Sequence, residues 1–440
     1  MTEAPTRRVF GLLELRRGEE AAVLCSAAYA FCLMASYNVL KPLREAVGTA
    51  TRGIGWLWTG TFLGCLVVLP PYWAVVARFA RQQFIPWVHR FFALLFAGFF
   101  FLLRDEEHGP IPFVHAAAGF YVTVSVFNLL VLSQQWGFLA DVFGKEQGER
   151  LFAWIAAGGT AGGLFASSAA ATISDGLARH GIGPAGLIWL AIALLEGATA
   201  CALLLARRAP PAEWHPRDPG RTIAARARDV FEGARLFARS PYLLAIAAYL
   251  FVSLFTASFL YNFQRDLVKL EITDRARQTE YNAWINTATQ LVALAGQALL
   301  SAPLLRRAGF AVTLSILHGV GIAGLIGFGL EPTLAVVSVA WIALKGVDYS
   351  LAKPAREALF TVVSRTEKYQ SKSLIDAGLY RGFDMVDGWI YDGLKAAGLA
   401  APALAFLAAP VTAVGVFVSR RLARERRRRH DAVSAGPRPS

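Results

Sequence analysis

Charged residues are scarce in this sequence. Only 17% of the 440 residues are Asp, Glu, Lys or Arg, whereas 55% are hydrophobic and 12% are aromatic. A soluble globular protein usually carries about 25% charged residues, so this chain has too few to cover a soluble surface. The many apolar and aromatic residues also exclude a disordered chain. The composition therefore indicates a membrane protein that crosses the bilayer several times, at about 20 apolar residues per helix.

Cysteine and histidine are also rare. The four cysteines all lie inside apolar runs, and none has the spacing of a disulfide framework or a zinc site. The seven histidines are scattered, and no nucleophile or carboxylate pattern typical of an enzyme accompanies them. We therefore expect no metal, no cofactor and no enzymatic activity. The cysteines are Cys25, Cys32, Cys65 and Cys201.

Twelve apolar runs predict twelve transmembrane helices in an all-α fold. They form two six-helix halves, 1–206 and 242–419, separated by a basic linker at 207–241 and followed by a basic tail at 420–440. Helical spacing of apolar residues predicts an amphipathic surface helix in the second part of the linker and another at 9–15. The predicted spans are 21–40, 54–77, 85–103, 111–140, 151–173, 185–206, 242–262, 281–304, 309–330, 333–352, 373–397 and 399–419.

The distribution of basic residues predicts the orientation. If both termini are cytoplasmic, the cytoplasmic segments hold 32 of the 44 Arg and Lys residues, as the positive-inside rule requires. A bacterial inner membrane is the default location. The basic linker and tail are expected to contact anionic lipids. The net charge of +13 then needs no nucleic-acid partner, and we expect a monomer.

Two repeated sequence motifs support a duplicated architecture. The segment Tyr37-Asn38 to Lys41 resembles Tyr261-Asn262 to Arg265, each being Tyr-Asn-x-x-basic at the end of a span. In addition, residues 37–46 match residues 349–358 at six of ten positions. Repeated halves are typical of secondary transporters.

Ionisable side chains inside the spans are the candidate functional residues. Charge facing lipid is costly, so such groups usually face a cavity or a partner. Polar residues share one face in the first, seventh, tenth and eleventh spans. The six basic groups among them indicate an anionic solute. These stripes are Tyr37, Lys41, Arg44 and Glu45; Tyr261 and Arg265; Lys345, Tyr349, Lys353 and Arg356; and Asp376, Tyr380, Asp384, Asp387 and Tyr391.

Structural alternatives exist for each group. The Lys41 to Glu45 motif fits a solvated helix end, with side chains reaching the interface. Glu45 and Glu357 fit ion pairs with neighbouring bases. Asp376 and Asp384 fit partners of Arg381, and Asp141 fits a cap for a loop helix around 145–150. Gly158 to Gly163 in the fifth span predicts close helix packing rather than a phosphate loop.

Several segments together resemble the ATP/ADP translocase family of plastids and intracellular bacteria, which is similar in fold to the major facilitator superfamily. The resemblance covers most of the chain through short motifs. They are Leu43-Arg44-Glu45, 125–128, 136–141, 146–152, 353–358, 365–372, Asp376 and 380–382.

The resemblance implies twelve helices, alternating access, and a central anion site lined by the first, fourth, seventh and tenth helices. The family's Pro-x-Lys-Glu motif corresponds to Pro354 to Glu357, where Arg356 keeps the positive charge. Its Asn-x-x-Glu motif corresponds to Asn262 to Arg265, where a base replaces the acid.

The predicted function is therefore alternating-access transport of an anionic metabolite, with ATP/ADP-type nucleotide exchange as its specific form. The predicted substrate-binding residues are Tyr37, Lys41, Arg44, Glu45, Asn262, Arg265, Lys353, Arg356 and Glu357. Those predicted to couple transport or stabilise the fold are Asp141, Asp376, Arg381 and Asp384. Two alternatives are proton-coupled transport of a small organic anion, and a membrane scaffold or sensor that transports nothing.

Overall fold

The computed structural model consists largely of helices. A strand pair precedes the first helix. The described residues are 6–9, 13–16, 19–51, 53–79, 81–143, 145–208, 235, 237–363 and 378–434.

The elements up to the linker are two short strands, six α-helices and one 3-10 turn. They are β1 Thr6–Val9, β2 Leu13–Arg16, α1 Glu20–Gly48, α2 Ile54–Arg78, α3 Arg81–Leu103, α4 Phe113–Val142, α5 Lys145–Arg179, the 3-10 turn Pro184–Gly186 and α6 Leu187–Arg208.

The elements after the linker are mostly long α-helices. They are α7 Pro241–Glu271, α8 Arg275–Leu299, α9 Ser301–Arg307, α10 Gly309–Leu330, α11 Leu334–Val347, the π-helical turn Asp348–Ala352, α12 Lys353–Leu359, the 3-10 turn Phe360–Val362, α13 Tyr380–Ala396 and α14 Ala401–Ser434.

The predicted all-α membrane architecture is confirmed, although twelve spans is an approximate number. Ten helices within the described part of the chain are long and apolar enough to cross a membrane. The predicted span 281–304 lies mostly in α8, which is helical but not among those ten. The predicted span 373–397 is described only from residue 378, mainly as the 17-residue α13.

The amphipathic helix predicted at 9–15 is wrong. Instead, β1 and β2 pair as an antiparallel hairpin in which Val9 faces Leu13. The pattern of apolar and polar residues in this segment also suits a strand. The segment is too short for a helical repeat to be distinguished from the two-residue repeat of a strand. The amphipathic helix predicted in the linker runs over 221–239, and of these residues only 235 and 237–239 are described, all in helical conformation.

Local capping fixes where several helices start. Ser240 precedes α7 and its Oγ accepts a hydrogen bond from Leu243 N at 3.4 Å, with Pro241 at the first helical position. Asp274 Oδ1 accepts a hydrogen bond from Arg277 N at 2.8 Å and caps α8 in the same way.

The chain divides into two compact units. Unit 1 contains residues 1–51, 64–220 and 273–287, and unit 2 contains residues 52–63, 221–272 and 288–440. The division passes through α2 and α8, so each of these helices contributes its first turns to one unit and the rest to the other.

In unit 1, helix α1 packs closely on α5 through glycine, as the sequence predicted. A Cβ added at Gly158 would lie 2.6 Å from Ala27 O, and one at Gly162 would overlap Phe31 O. Because the obstructing atoms are backbone, these positions admit only glycine without a shift of the helices.

In unit 2, helix α14 packs against α7 and α10. Gly415 of α14 lies directly against the ring of His318 on α10, leaving no space for a Cβ. Thr412 and Thr256 bridge α14 and α7 with a 2.8 Å hydrogen bond between their hydroxyls. Small residues thus let the helices approach and satisfy buried polar atoms.

The predicted tenth span is interrupted at the repeated motif. Helix α11 ends at Val347, one π-helical turn follows at Asp348–Ala352, and α12 resumes at Lys353. Pro354 lacks an N–H group, which disfavours a regular α-helical ladder here. The equivalent Pro42 lies within a continuous α1, so the two repeated motifs, 37–46 and 349–358, have different local structures. Such π-helical turns often occur at functional sites.

Candidate functional site

A hydrogen-bonded network in unit 1 holds Lys41. Its Nζ donates to Asn286 Oδ1 at 2.7 Å. The buried Asn286 uses its Nδ2 to donate to Asn38 Oδ1 at 2.9 Å and to Ser167 Oγ. A neutral amide that is itself held by Asn38 and Ser167 therefore positions Lys41. Sequence reasoning missed Asn286, which is 245 residues away and belongs to no charged stripe.

Arg44 lies one turn further along α1, against α4. Its NH1 donates to Ser125 Oγ at 3.1 Å, its guanidinium lies 4.7 Å from the ring centre of Tyr121, and its NH2 pairs with Glu45. The side chains of Arg44 and Glu45 are only 12% and 13% exposed. This motif is therefore packed inside unit 1 rather than extended into solvent. Tyr37 is half-buried and packs against the apolar core.

Arg275, at the start of α8, is bonded to the end of α1. Its NH1 donates to Ala46 O at 2.7 Å and to Thr49 Oγ1 at 2.8 Å, and its Nε lies 3.1 Å from Glu106 Oε1. A cation at a helix C-terminus satisfies free carbonyls and is favoured by the helix dipole. No sequence pattern indicates this role, because Arg275 lies in a predicted loop between two spans.

The tenth predicted span places Arg356 inside unit 2. Its side chain is buried, and the guanidinium lies 5.4 Å from the ring centre of Tyr380. Both residues line a cavity of about 20 Å³ together with Lys345, Asp348 and Ser253. A cavity of this volume is large enough for one water molecule. The π-helical turn brings Asp348 to the same cavity as Arg356.

Lys353 and Glu357 have a different environment from Arg356. Both are exposed on α12, four residues apart on one face of the helix. Lys345, also in this span, has its Nζ 5.0 Å from the ring centre of Trp341. Only Arg356 and Lys345 of the predicted basic stripe therefore reach the small cavity.

The seventh predicted span contributes Asn262 and Arg265. Asn262 is fully buried and its Nδ2 donates to Ser258 O at 2.9 Å. The Arg265 side chain is 8% exposed, and its NH1 lies 3.7 Å from Asp266 Oδ1. Asp266 Oδ2 also accepts a 2.8 Å hydrogen bond from Tyr391 OH on α13.

The acids of the eleventh predicted span differ in burial. Arg381 NH1 lies 3.3 Å from Asp384 Oδ2, and both side chains are about one quarter exposed, at 24% and 23%. Asp387 is fully buried and accepts a 3.3 Å hydrogen bond from Ser258 Oγ. Asp376 lies outside the described residues, and Asp141 is half-buried in the last turn of α4.

A buried Tyr–His pair occurs in each unit, which sequence reasoning missed because the histidines are far apart in the chain. In unit 1 the rings of Tyr29 and His89 are 6.3 Å apart, and His89 Nδ1 is 2.8 Å from Thr199 Oγ1. In unit 2 the rings of Tyr249 and His318 are 5.1 Å apart. Both histidines are fully buried.

The predicted site residues thus divide between the two units. Unit 1 brings together a base, a base–acid pair and their hydroxyl, amide and aromatic neighbours, and unit 2 places Arg356 beside Lys345 and Tyr380. Guanidinium, ammonium and phenol groups are donors suited to carboxylate or phosphate oxygens. Within the described part of the chain, no three His, Cys, Asp or Glu side chains could hold a metal ion.

Comparison with known proteins gives similarity at the level of the fold. No family model matches the chain, and no curated protein matches it. A solved structure of a POT family transporter in complex with 5-aminolevulinic acid is 12% identical, with a TM-score of 0.64 over 96% of this chain and 99% of that one. The nucleoside transporter NupG is 15% identical, with a TM-score of 0.59 over 91% and 98%.

A third solved structure has the same fold. It is a bacterial homolog of the human lysosomal transporter Spinster, in an inward-facing and unoccupied conformation. It is 14% identical to this chain, with a TM-score of 0.56 over 94% of this chain and 97% of that one. The fold is therefore that of major-facilitator-type secondary transporters.

Proposed function

We propose that this protein is a secondary transporter that moves an anionic small molecule across the membrane by alternating access. The observation that carries the proposal is the position of the half-buried Lys41 and Arg44 inside unit 1, where they bond to Asn286 and Ser125 and Arg44 pairs with Glu45. Basic side chains within membrane helices are costly and usually line a solute or ion pathway. The likeness to structures of transporters supports the same class of function.

Two half-buried bases of unit 1 and one buried base of unit 2 are the proposed ligands of the solute. Lys41 and Arg44 serve in unit 1, and Arg356 serves in unit 2. Arg356 is suited to this role because its planar guanidinium lies near Tyr380, leaving donors for a carboxylate or phosphate. Tyr37, Asn262, Arg265 and Lys353 are proposed as further binding residues.

Glu45 and Glu357 are the proposed exchange partners of these bases. Glu45 already pairs with Arg44. An anionic solute would compete with this carboxylate for the guanidinium, and its release would restore the pair. Such an exchange keeps the buried charge balanced throughout the cycle, which is necessary because an unpaired buried charge is strongly destabilising.

The specific form of this proposal is nucleotide transport. It is supported by the resemblance of the motifs around Arg44 and Arg356 to ATP/ADP translocases. Arg265, which replaces an acid of that family, adds a positive charge that suits a phosphate. The 5-aminolevulinic acid bound to a POT family structure is the corresponding example of a carboxylate solute in this fold.

We also propose that the last helix anchors the protein at an anionic membrane surface. Arg420, Arg424 and Arg427 line a groove of about 860 Å³ beside the start of α10. Arg426 lies 3.8 Å from the ring centre of Phe310 in the same groove. A cytoplasmic location of this helix would place these bases at the leaflet rich in anionic lipid.

Solute counterflow tests the proposed function. Purified protein in proteoliposomes is loaded with one unlabelled compound and offered the same compound in radiolabelled form. The panel contains ATP, ADP, AMP, small di- and tricarboxylates, and an uncharged nucleoside. We expect accumulation of at least one anion and none of the nucleoside. Absence of counterflow for every anion would refute the proposal, and counterflow of carboxylates alone would refute its nucleotide form.

Variants connect counterflow to the proposed site. Arg44→Gln and Arg356→Gln should each reduce counterflow about 10-fold or more, because a hydrogen bond to a charged group contributes about 1.5–3 kcal/mol. Arg90→Gln is the matched control, since Arg90 is exposed on α3 and lies outside the proposed site. Equal activity of all three variants would exclude these residues from solute binding.

A further inference from the structure

The carboxyl group of Asp387 occupies an unusual position in unit 2. The residue is fully buried on α13, and Oδ2 accepts a single 3.3 Å hydrogen bond from Ser258 Oγ of α7. Its Oδ1 has no hydrogen-bond partner among the residues that the structure describes. A carboxylate with so few donors is poorly stabilised, because burial removes the water that solvates its charge.

The neighbouring cations on the same two helices are paired with other acids. Arg381 pairs with Asp384, whereas Arg265 and Lys395 pair with Asp266. None of the described cations lies within 4.0 Å of Asp387. Asp387 therefore has no counter-ion in the part of the chain that the structure describes.

Other polar groups around Asp387 are already engaged or neutral. Tyr391 on the same helix donates its hydroxyl proton to Asp266, and Asp392 accepts a 2.8 Å hydrogen bond from Gly55 N. Asn262 on α7 bonds to a carbonyl of its own helix. The first turns of α2, at 54–63, pack against α13 and contain no ionisable residue.

Acidic and phenolic side chains precede this carboxyl group along α13. Asp384 precedes Asp387 by three residues and therefore lies on the same side of the helix. The Asp384 side chain is 23% exposed, whereas Asp387 is not exposed at all. Tyr380 lies one turn before Asp384 and lines the small cavity that also contains Asp348, Lys345 and Arg356. Acidic and phenolic oxygens thus follow one face of α13 into the unit.

We infer that Asp387 is the proton-binding group of this transporter and couples proton movement to the movement of the anionic solute. The inference rests on the proposed transport function and adds the coupling ion. The carboxylate binds one proton to become a neutral carboxylic acid when it has access to one side of the membrane. It releases the same proton to the other side after the change of access. Burial favours the neutral form over the charged form because it removes the water that solvates the charge. The neutral form can also donate its own hydrogen bond.

A proton gradient imposed on proteoliposomes tests this inference. The solute is an anion found by counterflow, the vesicle interior is made alkaline, and trapped pyranine reports the internal pH. We expect the gradient to increase solute accumulation and proton influx to accompany solute uptake. In Asp387→Asn, gradient-driven accumulation should fall to the level seen without a gradient, while counterflow stays within about 2-fold of wild type because exchange needs no net proton movement.

Two variants separate coupling from a structural role. Asp392→Asn is the matched control, because Asp392 lies on the same helix with a backbone donor for its carboxylate, and it should keep the response to the gradient. Ser258→Ala removes the described donor to the charged form of Asp387. It should shift the pH midpoint of gradient-driven uptake to higher pH, because the neutral form then persists further.

Each result has a definite meaning. Wild-type counterflow that ignores the proton gradient would overturn the inference while leaving the transport function in place. A folded Asp387→Asn protein that still responds to the gradient would also overturn it, as would loss of counterflow together with the gradient response. If Asp387→Asn does not fold, an unchanged pH midpoint in Ser258→Ala overturns it instead. Absence of counterflow in wild type refutes the transport function itself.

Discussion

Lys41 Nζ of α1 donates a 2.7 Å hydrogen bond to Asn286 Oδ1 of α8. The two residues belong to different sequence halves, yet both lie in unit 1. Asn286 Nδ2 also donates a hydrogen bond to Asn38 Oδ1, and Asn38 lies on α1 three residues before Lys41. A neutral amide of α8 therefore helps to position this base on α1.

Replacement of Asn286 should impair transport. Asn286→Leu removes the acceptor of Lys41 and the donor to the buried Asn38 Oδ1, and an unsatisfied buried polar group costs about 1–3 kcal/mol. We expect solute counterflow to fall about 10-fold if that cost falls on the binding-competent state.

Asn282→Leu is the control for this change. Asn282 lies one turn earlier on α8 and bonds to Gln278 O within its own helix. It should retain most of the wild-type rate. Equal losses in the two variants would contradict a specific role for the Lys41–Asn286 pair.

Arg356 should not be replaceable by lysine. Arg356→Lys keeps the charge but loses the planar group that lies near Tyr380 and the second set of donors. We expect counterflow by Arg356→Lys to remain closer to Arg356→Gln than to wild type. A lysine variant with wild-type activity would show that only the charge matters.

The bond between Arg275 and the end of α1 should contribute to stability. Arg275→Gln removes donors to Ala46 O and Thr49 Oγ1, and charged hydrogen bonds contribute about 1.5–3 kcal/mol each. The unfolding temperature in detergent should fall by several degrees. The nearby exposed Arg277→Gln should leave it nearly unchanged, and equal unfolding temperatures for both would contradict this role.

The close contact of α5 with α1 should tolerate no side chain at Gly162. Gly162→Ala places a Cβ against Phe31 O, and overpacking costs about 1–3 kcal/mol. Gly176→Ala is a matched control on the same helix, because nothing lies within 4 Å of its added Cβ. We expect a lower unfolding temperature for the first variant and an unchanged or higher one for the second, since alanine favours helix over glycine.

The predicted orientation can be measured directly. Alkaline phosphatase is active only outside the cytoplasm, whereas green fluorescent protein fused to a membrane protein fluoresces in the cytoplasm and serves as the opposite reporter. Green fluorescent protein fused after the tail should fluoresce, because the basic residues that mark the cytoplasmic side concentrate there. Phosphatase inserted in the loop at 104–112 should be active, because this loop is predicted on the other side of the membrane. The reverse pattern would contradict the orientation.

Much of the helical architecture could be predicted from the sequence. Apolar runs of sufficient length identify helices such as α4 and α7, because every backbone polar group in lipid must be satisfied within the helix. The small-residue run of α5 likewise predicted close packing. The strand pair at β1 and β2 was missed, since four-residue elements carry too little periodicity to distinguish strand from helix.

The residues of the candidate site could be predicted from the sequence only in part. The sequence pattern singled out Lys41, Arg44 and Arg356 as candidates, because a charge inside an apolar run is unusual. It missed Asn286 and Arg275, whose importance comes from partners more than 200 residues away. Neutral amides and loop bases have no distinctive pattern in the chain, so only the packing of α8 reveals what they bind.

The sequence by itself determined that the chain crosses a membrane, and it marked the helices that carry charge, because hydrophobicity and charge are properties of each residue. The tertiary structure alone decided what each charge meets. It encloses Asp387 beside Ser258, leaves Lys353 exposed, and brings Arg356 to a cavity through the π-helical turn. Burial and hydrogen bonding depend on how helices pack against one another, and those distances are not encoded in any local stretch of sequence.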